Sequence, residues 1–117
     1  MTVLLVEDNL MFRQSFKESL LAYRPELPIV EASEGLQALK LVQEYCPQVI
    51  FMDMQLPGES GIELTHTIHK LFPRTKIIIF TINSPESEYL EAAAAAGASH
   101  FIPKGSWSME EIMTLIG

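Results

Sequence analysis

The sequence predicts an α/β domain: a five-stranded parallel sheet, doubly wound, with helices on both faces. Three observations carry this. Short apolar runs alternate with longer stretches of helical periodicity, five times over. The first, third and fourth runs are continuously apolar and rich in β-branched residues, as strands covered on both faces are. Such alternation implies right-handed crossovers in a parallel sheet. The spacing leaves no linker, so residues 1–117 read as a single domain.

Taken in order, the first strand is Val3-Leu4-Leu5-Val6, which runs into Glu7-Asp8. In the helix that follows, Phe12, Phe16 and Leu20 recur every fourth residue, with Arg13, Lys17 and Glu18 between them. Pro25 ends it near Tyr23. A weaker strand occupies 28–32. Leu36, Leu39, Val42 and Cys46 form the stripe of a second helix closed by Pro47, with Cys46 as a small core residue. The third strand, 49–52, ends in Asp53. Ile62, Leu64, Ile68 and Leu71-Phe72 fit a third helix closed by Pro73. The fourth strand, 76–81, ends in Thr81. A fourth helix opens at Ser84-Pro85-Glu86: a cap, a proline at the first helical position and acids in the first turn. It runs through the alanines at 92–96 and stops at Gly97, a good residue for the left-handed turn after a helix. The fifth strand, 100–103, precedes Lys104. Met109, Ile112, Met113 and Ile116 mark a last helix by their i, i+3, i+4, i+7 spacing. It is only about two turns long against a mean of about 11–12 residues, which reads as a short or truncated helix.

Composition excludes several classes. Hydrophobic content of 48% is too high for a disordered chain. One cysteine cannot form an internal disulfide or a multi-cysteine metal site, so a reducing compartment is expected. A net charge of −7 argues against direct nucleic-acid binding by this chain, because phosphate neutralisation needs clustered Lys and Arg. No targeting segment and no membrane span are read, so the expected location is cytoplasmic.

Thirteen of the fifteen acids are glutamates, mostly on helices. The two aspartates, Asp8 and Asp53, both fall at strand C-termini, the edge where ligands bind in open α/β sheets. Glu7, Asp8 and Asp53 would repel one another there unless a cation sits among them. Mg2+ suits oxygen ligands of this kind. Thr81 and Lys104, at the ends of strands four and five, can hold phosphate oxygens, and an aspartate can itself accept a phosphoryl group.

With these residues in place the chain resembles a two-component response regulator receiver domain over essentially its whole length. The resemblance rests on Val6-Glu7-Asp8-Asn9, on Asp53-Met54-Gln55-Leu56-Pro57 with Gly61 beyond, on Ile79-Phe80-Thr81, on Ala96-Gly97-Ala98 and on Ile102-Pro103-Lys104. It implies a flavodoxin-like strand order, 2-1-3-4-5. It implies Asp53 as phosphoacceptor, Asp8 as a direct Mg2+ ligand, Glu7 as a ligand through water, and the backbone carbonyl of Gln55 as another. Thr81 and Lys104 match the groups that contact the phosphoryl, and Phe101 matches the aromatic that swings inward when Thr81 moves. The implied partner is a sensor histidine kinase or phosphotransfer protein, with homodimerisation left open. Met11-Phe12-Arg13 and Pro103-Lys104-Gly105-Ser106 resemble receivers joined to helix-turn-helix output domains, which implies transcription regulation. The implied chemistry is self-directed phosphotransfer and autodephosphorylation, not turnover of an outside substrate.

The chain departs from the family pattern in places. Gly105-Ser106 follow Lys104 where a proline is usual, so a trans bond is expected there. Ile82 replaces a small residue beside Thr81, and Phe101 has no hydroxyl. Gln55 and Asn83 stand at positions that tune dephosphorylation in the family. A haloacid-dehalogenase-like phosphatase is the rival enzyme reading, but it requires a second aspartate where Gln55 stands. A receiver-like scaffold that works without phosphorylation is the other rival. His66, His69 and His100 read as surface or flanking residues, Met52 and Met54 as packing, and Trp107 as packing or interface.

Overall fold

The computed structural model describes residues 1–81 and 87–117. The elements are β1 (Val3–Val6), α1 (Leu10–Tyr23), β2 (Ile29–Ala32), α2 (Gly35–Tyr45), β3 (Val49–Asp53), β4 (Gln55–Leu56), β5 (Glu59–Ser60), α3 (Gly61–Leu71), β6 (Lys76–Thr81), α4 (Ser87–Ala96), β7 (His100–Pro103) and α5 (Met109–Ile116). The five longer strands form one sheet in the order β2-β1-β3-β6-β7, and every pair in it is parallel. This is the expected order of the five predicted strands. The short antiparallel hairpin β4–β5 between β3 and α3 is additional to the five predicted strands.

Alternation along the strands sorts the core into two layers, because successive strand side chains point to opposite faces. Leu4, Val6, Ile50, Met52, Ile77 and Ile79 pack with Ala38 and Val42 of α2 and Leu64 and Ile68 of α3. Val3, Leu5, Phe51, Ile78 and Phe80 pack on the other face with Phe16 and Leu20 of α1 and Ile112 and Ile116 of α5. Both faces are covered, so the central strands are apolar throughout, as the sequence pattern required. Each large side chain buried here contributes about 1.5–3 kcal/mol.

Helix starts follow ordinary capping chemistry. The Asn9 side chain accepts from Phe12 N at 3.0 Å, Ser60 Oγ from Ile62 N at 3.2 Å, and Ser108 Oγ from Glu111 N at 3.2 Å. Gly97 sits at φ 122°, confirming the left-handed stop after α4. The expected start of that helix at Ser84-Pro85-Glu86 lies outside the described residues.

The second helix corrects the stripe reading. Its buried residues are Gly35, Ala38 and Val42, while Leu36 is 61% exposed. Small residues let α2 lie close on the sheet, and that contact wins over the bulkier Leu36 side of the helix. Cys46 is exposed, not core. It stands just past the helix at φ 45°, with its N–H closing on Val42 O at 2.9 Å, so it turns the chain rather than packing. Leu71, expected on the third stripe, is likewise exposed. Met52 and Met54 are buried packing residues, as expected.

Candidate functional site

The strand C-termini bring the predicted residues to one end of the sheet. β1 delivers Glu7 and Asp8, the central strand β3 delivers Asp53, β6 delivers Thr81, and the turn after β7 delivers Lys104. Glu7, Asp8 and Asp53 each place a carboxylate oxygen so that all three lie within 4.8 Å of one another. Glu7 is buried, Asp53 is partly buried and Asp8 is exposed.

Lys104 reaches into this cluster. Its ammonium forms an ion pair with Glu7 Oε1 and stands 3.4 Å from Asp53 Oδ2. This Glu7 oxygen is buried, and the ammonium is its charged neighbour. Asp53 Oδ1 also accepts from Gln55 N at 3.4 Å. The Lys104 N–H donates to Thr81 O at 2.9 Å, which ties the lysine turn to the end of β6. Among the described residues no peptide bond is cis, in line with the trans Lys104–Gly105 bond expected.

Three carboxylates face one ammonium, and the imbalance is visible in the protonation of Glu7. Burial, then the neighbouring Asp53, push its carboxyl up to about 7, and the opposing pull of Lys104 does not offset them. For Lys104, burial acts to lower the ammonium, but Glu7 and Asp53 outweigh it and the net shift is upward. Such a cluster is short of positive charge and rich in hard oxygen donors. Both properties fit a divalent cation of the Mg2+ type. Neither His66 nor His69 joins a metal-type cluster among the described residues.

The remaining expected residues fall as follows. Thr81 is 3% exposed. The β6–β7 register pairs Ile79 with Phe101 and Thr81 with Pro103, so Thr81 and Phe101 occupy the same face of adjacent strands. Phe101 is half-buried against the α2/α3 layer. Gln55 is held in the hairpin opposite Ser60, and its side chain is exposed. Gly61 packs directly on the phosphoacceptor candidate's backbone: its N–H donates to Met54 O at 2.8 Å, and an added Cβ would lie 2.9 Å from Met54 Cα. Ile82 and Asn83 lie outside the described residues.

Phe12 and Arg13 border the site, a placement that their positions in the sequence do not show. Phe12 lies under Lys104, with the ammonium 4.9 Å from its ring centroid, and Trp107 packs edge-on against Phe12 and Phe16. The tryptophan is therefore a packing residue that braces this wall. Arg13 donates from Nη1 to the Glu7 carbonyl at 2.6 Å. A cation in the first turn of a helix opposes the helix dipole, so an arginine at this place in the sequence signals a partner that holds it there.

Known proteins resemble this chain over most of its length. Residues 3–117 match the family model described as response regulator receiver domain. The chain is 32% identical over 103 residues to the transcriptional regulatory protein DegU of Brevibacillus brevis, covering 87% of this chain and 43% of that one. It is 36% identical over 108 residues to the oxygen regulatory protein NreC of Staphylococcus aureus, covering 91% and 49%. It thus spans about half the length, or less, of these curated relatives. A LuxR-family two-component response regulator from Aurantimonas superposes with a TM-score of 0.84 at 33% identity, over 96% of this chain and 79% of that one.

Proposed function

This chain belongs to the response regulator receiver domain family of two-component systems, and we propose that within it Asp53 is the phosphoacceptor. The observation that carries this is the placement of Asp53 at the end of the central strand, 3.4 Å from the Lys104 ammonium and within a three-carboxylate cluster. Family membership makes the chain a signalling domain rather than a classical turnover enzyme.

The proposed chemistry follows from these groups. A carboxylate oxygen of Asp53 attacks the phosphorus of a donor, a phosphohistidine on a sensor kinase or a phosphotransfer protein. The P–N bond of the donor breaks as the acyl phosphate P–O bond forms, and the released imidazole takes a proton from solvent. Glu7, Asp8, Asp53 and the Gln55 carbonyl would hold Mg2+, which when bound supplies neutralising charge to the transferring group. Lys104 leaves its carboxylate partners for a phosphoryl oxygen. Thr81 turns its hydroxyl toward the same group, and Phe101, on the same face of the next strand, follows into the vacated space. The result is a two-state switch biased by charge at Asp53. The output is transcription regulation, as in the relatives named a transcriptional regulatory protein and a DNA-binding response regulator, with residues 1–117 as the receiver unit.

The test is direct. The chain is incubated with Mg2+ and acetyl phosphate and its intact mass is measured. A gain of one phosphoryl group, lost in EDTA and absent in Asp53→Asn, is expected. Equal behaviour of wild type and Asp53→Asn would refute the assignment.

A further inference from the structure

Arg13 carries contacts that the phosphoacceptor site does not require of it. It is the fourth residue of α1, where the helix N-terminus disfavours a cation, and its side chain is only 15% exposed. A surface arginine in that position would turn to solvent. This one instead spans three elements. Nη1 donates to the carbonyl oxygen of Glu7 at 2.6 Å, and Nε donates to Glu31 Oε1 on the edge strand β2 at 3.0 Å. Lys17, one helical turn on, holds the other Glu31 oxygen at 2.9 Å. Burial acts to raise the Glu31 carboxyl, but Lys17 and Arg13 outweigh it and the net shift is downward, so the anchor is ionised at neutral pH.

The bonded carbonyl lies where the chain leaves the sheet. Val6 is the last β1 residue paired to β2, and Glu7 N makes one further bond to Ala32 O at 3.0 Å. Beyond it the chain turns through Asp8 to the Asn9 cap. Asp8 is exposed and has no strand pairing to fix it. The Arg13 bond clamps the peptide that joins Glu7 to Asp8. We infer that Arg13 is a positioning residue for the metal-binding acids: its guanidinium, braced by Glu31 and Lys17, fixes the Glu7–Asp8 peptide and so aims both carboxylates. This rests on the proposed reading of Glu7, Asp8 and Asp53 as the cation site.

Electrostatics alone predicts the opposite sign, which makes the inference sharp. Removing a cation beside a cation site relieves repulsion and tightens Mg2+ binding. Removing a clamp loosens the ligands and weakens it, as losing the partners of metal ligands does.

The experiment is calorimetric titration of Mg2+ alone into wild type, Arg13→Gln and Arg13→Lys at neutral pH, with thermal melts in EDTA to establish that each variant folds. Arg13→Gln is expected to weaken Mg2+ binding by about 10-fold, the low end of the range for lost ligand partners. Arg13→Lys keeps the charge but lacks the planar fork that holds two acceptors at once. It is expected to weaken binding in the same direction by less, and it serves if the Gln variant does not fold. Unchanged or tighter Mg2+ binding in a folded variant overturns the inference. Wild-type chain that takes up no Mg2+ overturns the cation site itself, and with it the role of Arg13, whereas normal wild-type binding with unaltered variants overturns the role of Arg13 alone.

Discussion

Replacing Glu7 by glutamine should stabilise the metal-free protein at alkaline pH. Glu7 is 1% exposed and shares its site with Asp8 and Asp53. Its carboxyl is moved from 4.5 to about 7, which corresponds to roughly 3 kcal/mol of penalty on the ionised folded state. The sign runs against the usual carboxylate case. A raised folded value means the native state holds the proton more tightly. Below about 4.5 both states are protonated and there is no penalty. Between 4.5 and about 7 the unfolded chain loses its proton first, and stability falls as pH rises. Above 7 the penalty is complete. Glutamine keeps the shape and removes the charge, and the pull of Lys104 on the carboxylate is already contained in that net shift. A gain of about 2–3 kcal/mol at pH 8 is therefore expected, shrinking toward zero near pH 4.5. Urea denaturation in EDTA at a series of pH values measures it as the difference between variant and wild type. Added Mg2+ should reverse the ranking, because it stabilises only the state with its ligands in place. A Glu7→Gln variant that is less stable than wild type at pH 8 in EDTA would refute the reasoning.

Other changes probe the frame around the site. Gly61→Ala drives a Cβ into the Asp53 carbonyl and to 2.9 Å from Met54 Cα, backbone atoms that cannot rotate away; destabilisation of at least about 2 kcal/mol in urea melts and slower phosphoryl uptake are expected. Phe51→Ala removes a fully buried ring stacked on Phe80 and edge-on to Phe16 and should cost about 3–5 kcal/mol by the same measurement. Glu31 titrates below its ordinary value, so its stabilisation is present above the usual carboxylate range and is lost as pH falls through the lowered folded value. The stability gap between wild type and Glu31→Gln should accordingly be wider at pH 6 than at pH 3. Glu88, an exposed helix acid on α4, is ordinary surface charge, and Glu88→Gln should leave the rate of phosphoryl uptake from acetyl phosphate unchanged.

Much of this frame was legible in the residue order. The three continuous apolar runs became β1, β3 and β6 because both sheet faces are covered, and the site acids were found because a parallel sheet ends its strands on one edge. The failures share a cause. Leu36 and Cys46 fit a helical stripe, but periodicity does not say which side of a helix comes close to a sheet; there the small Gly35 and Ala38 decide. The β4–β5 hairpin is two residues a side, too short to carry an alternation. Arg13 looked like one more interleaved charge on α1. Its bond to Glu7 and its ion pair to Glu31 arise from a neighbouring strand end and an edge strand, which no local pattern contains.

Asp53 alone is expected to receive the phosphoryl group. The direct measurement is to phosphorylate the chain with acetyl phosphate and Mg2+, trap the acyl phosphate by borohydride reduction, and locate the reduced residue by tandem mass spectrometry of peptides. Conversion is expected at position 53 and at no other carboxylate. Conversion at Asp8 or Glu7, or a phosphoryl group that remains on the chain when Asp53 is replaced by asparagine, would contradict it.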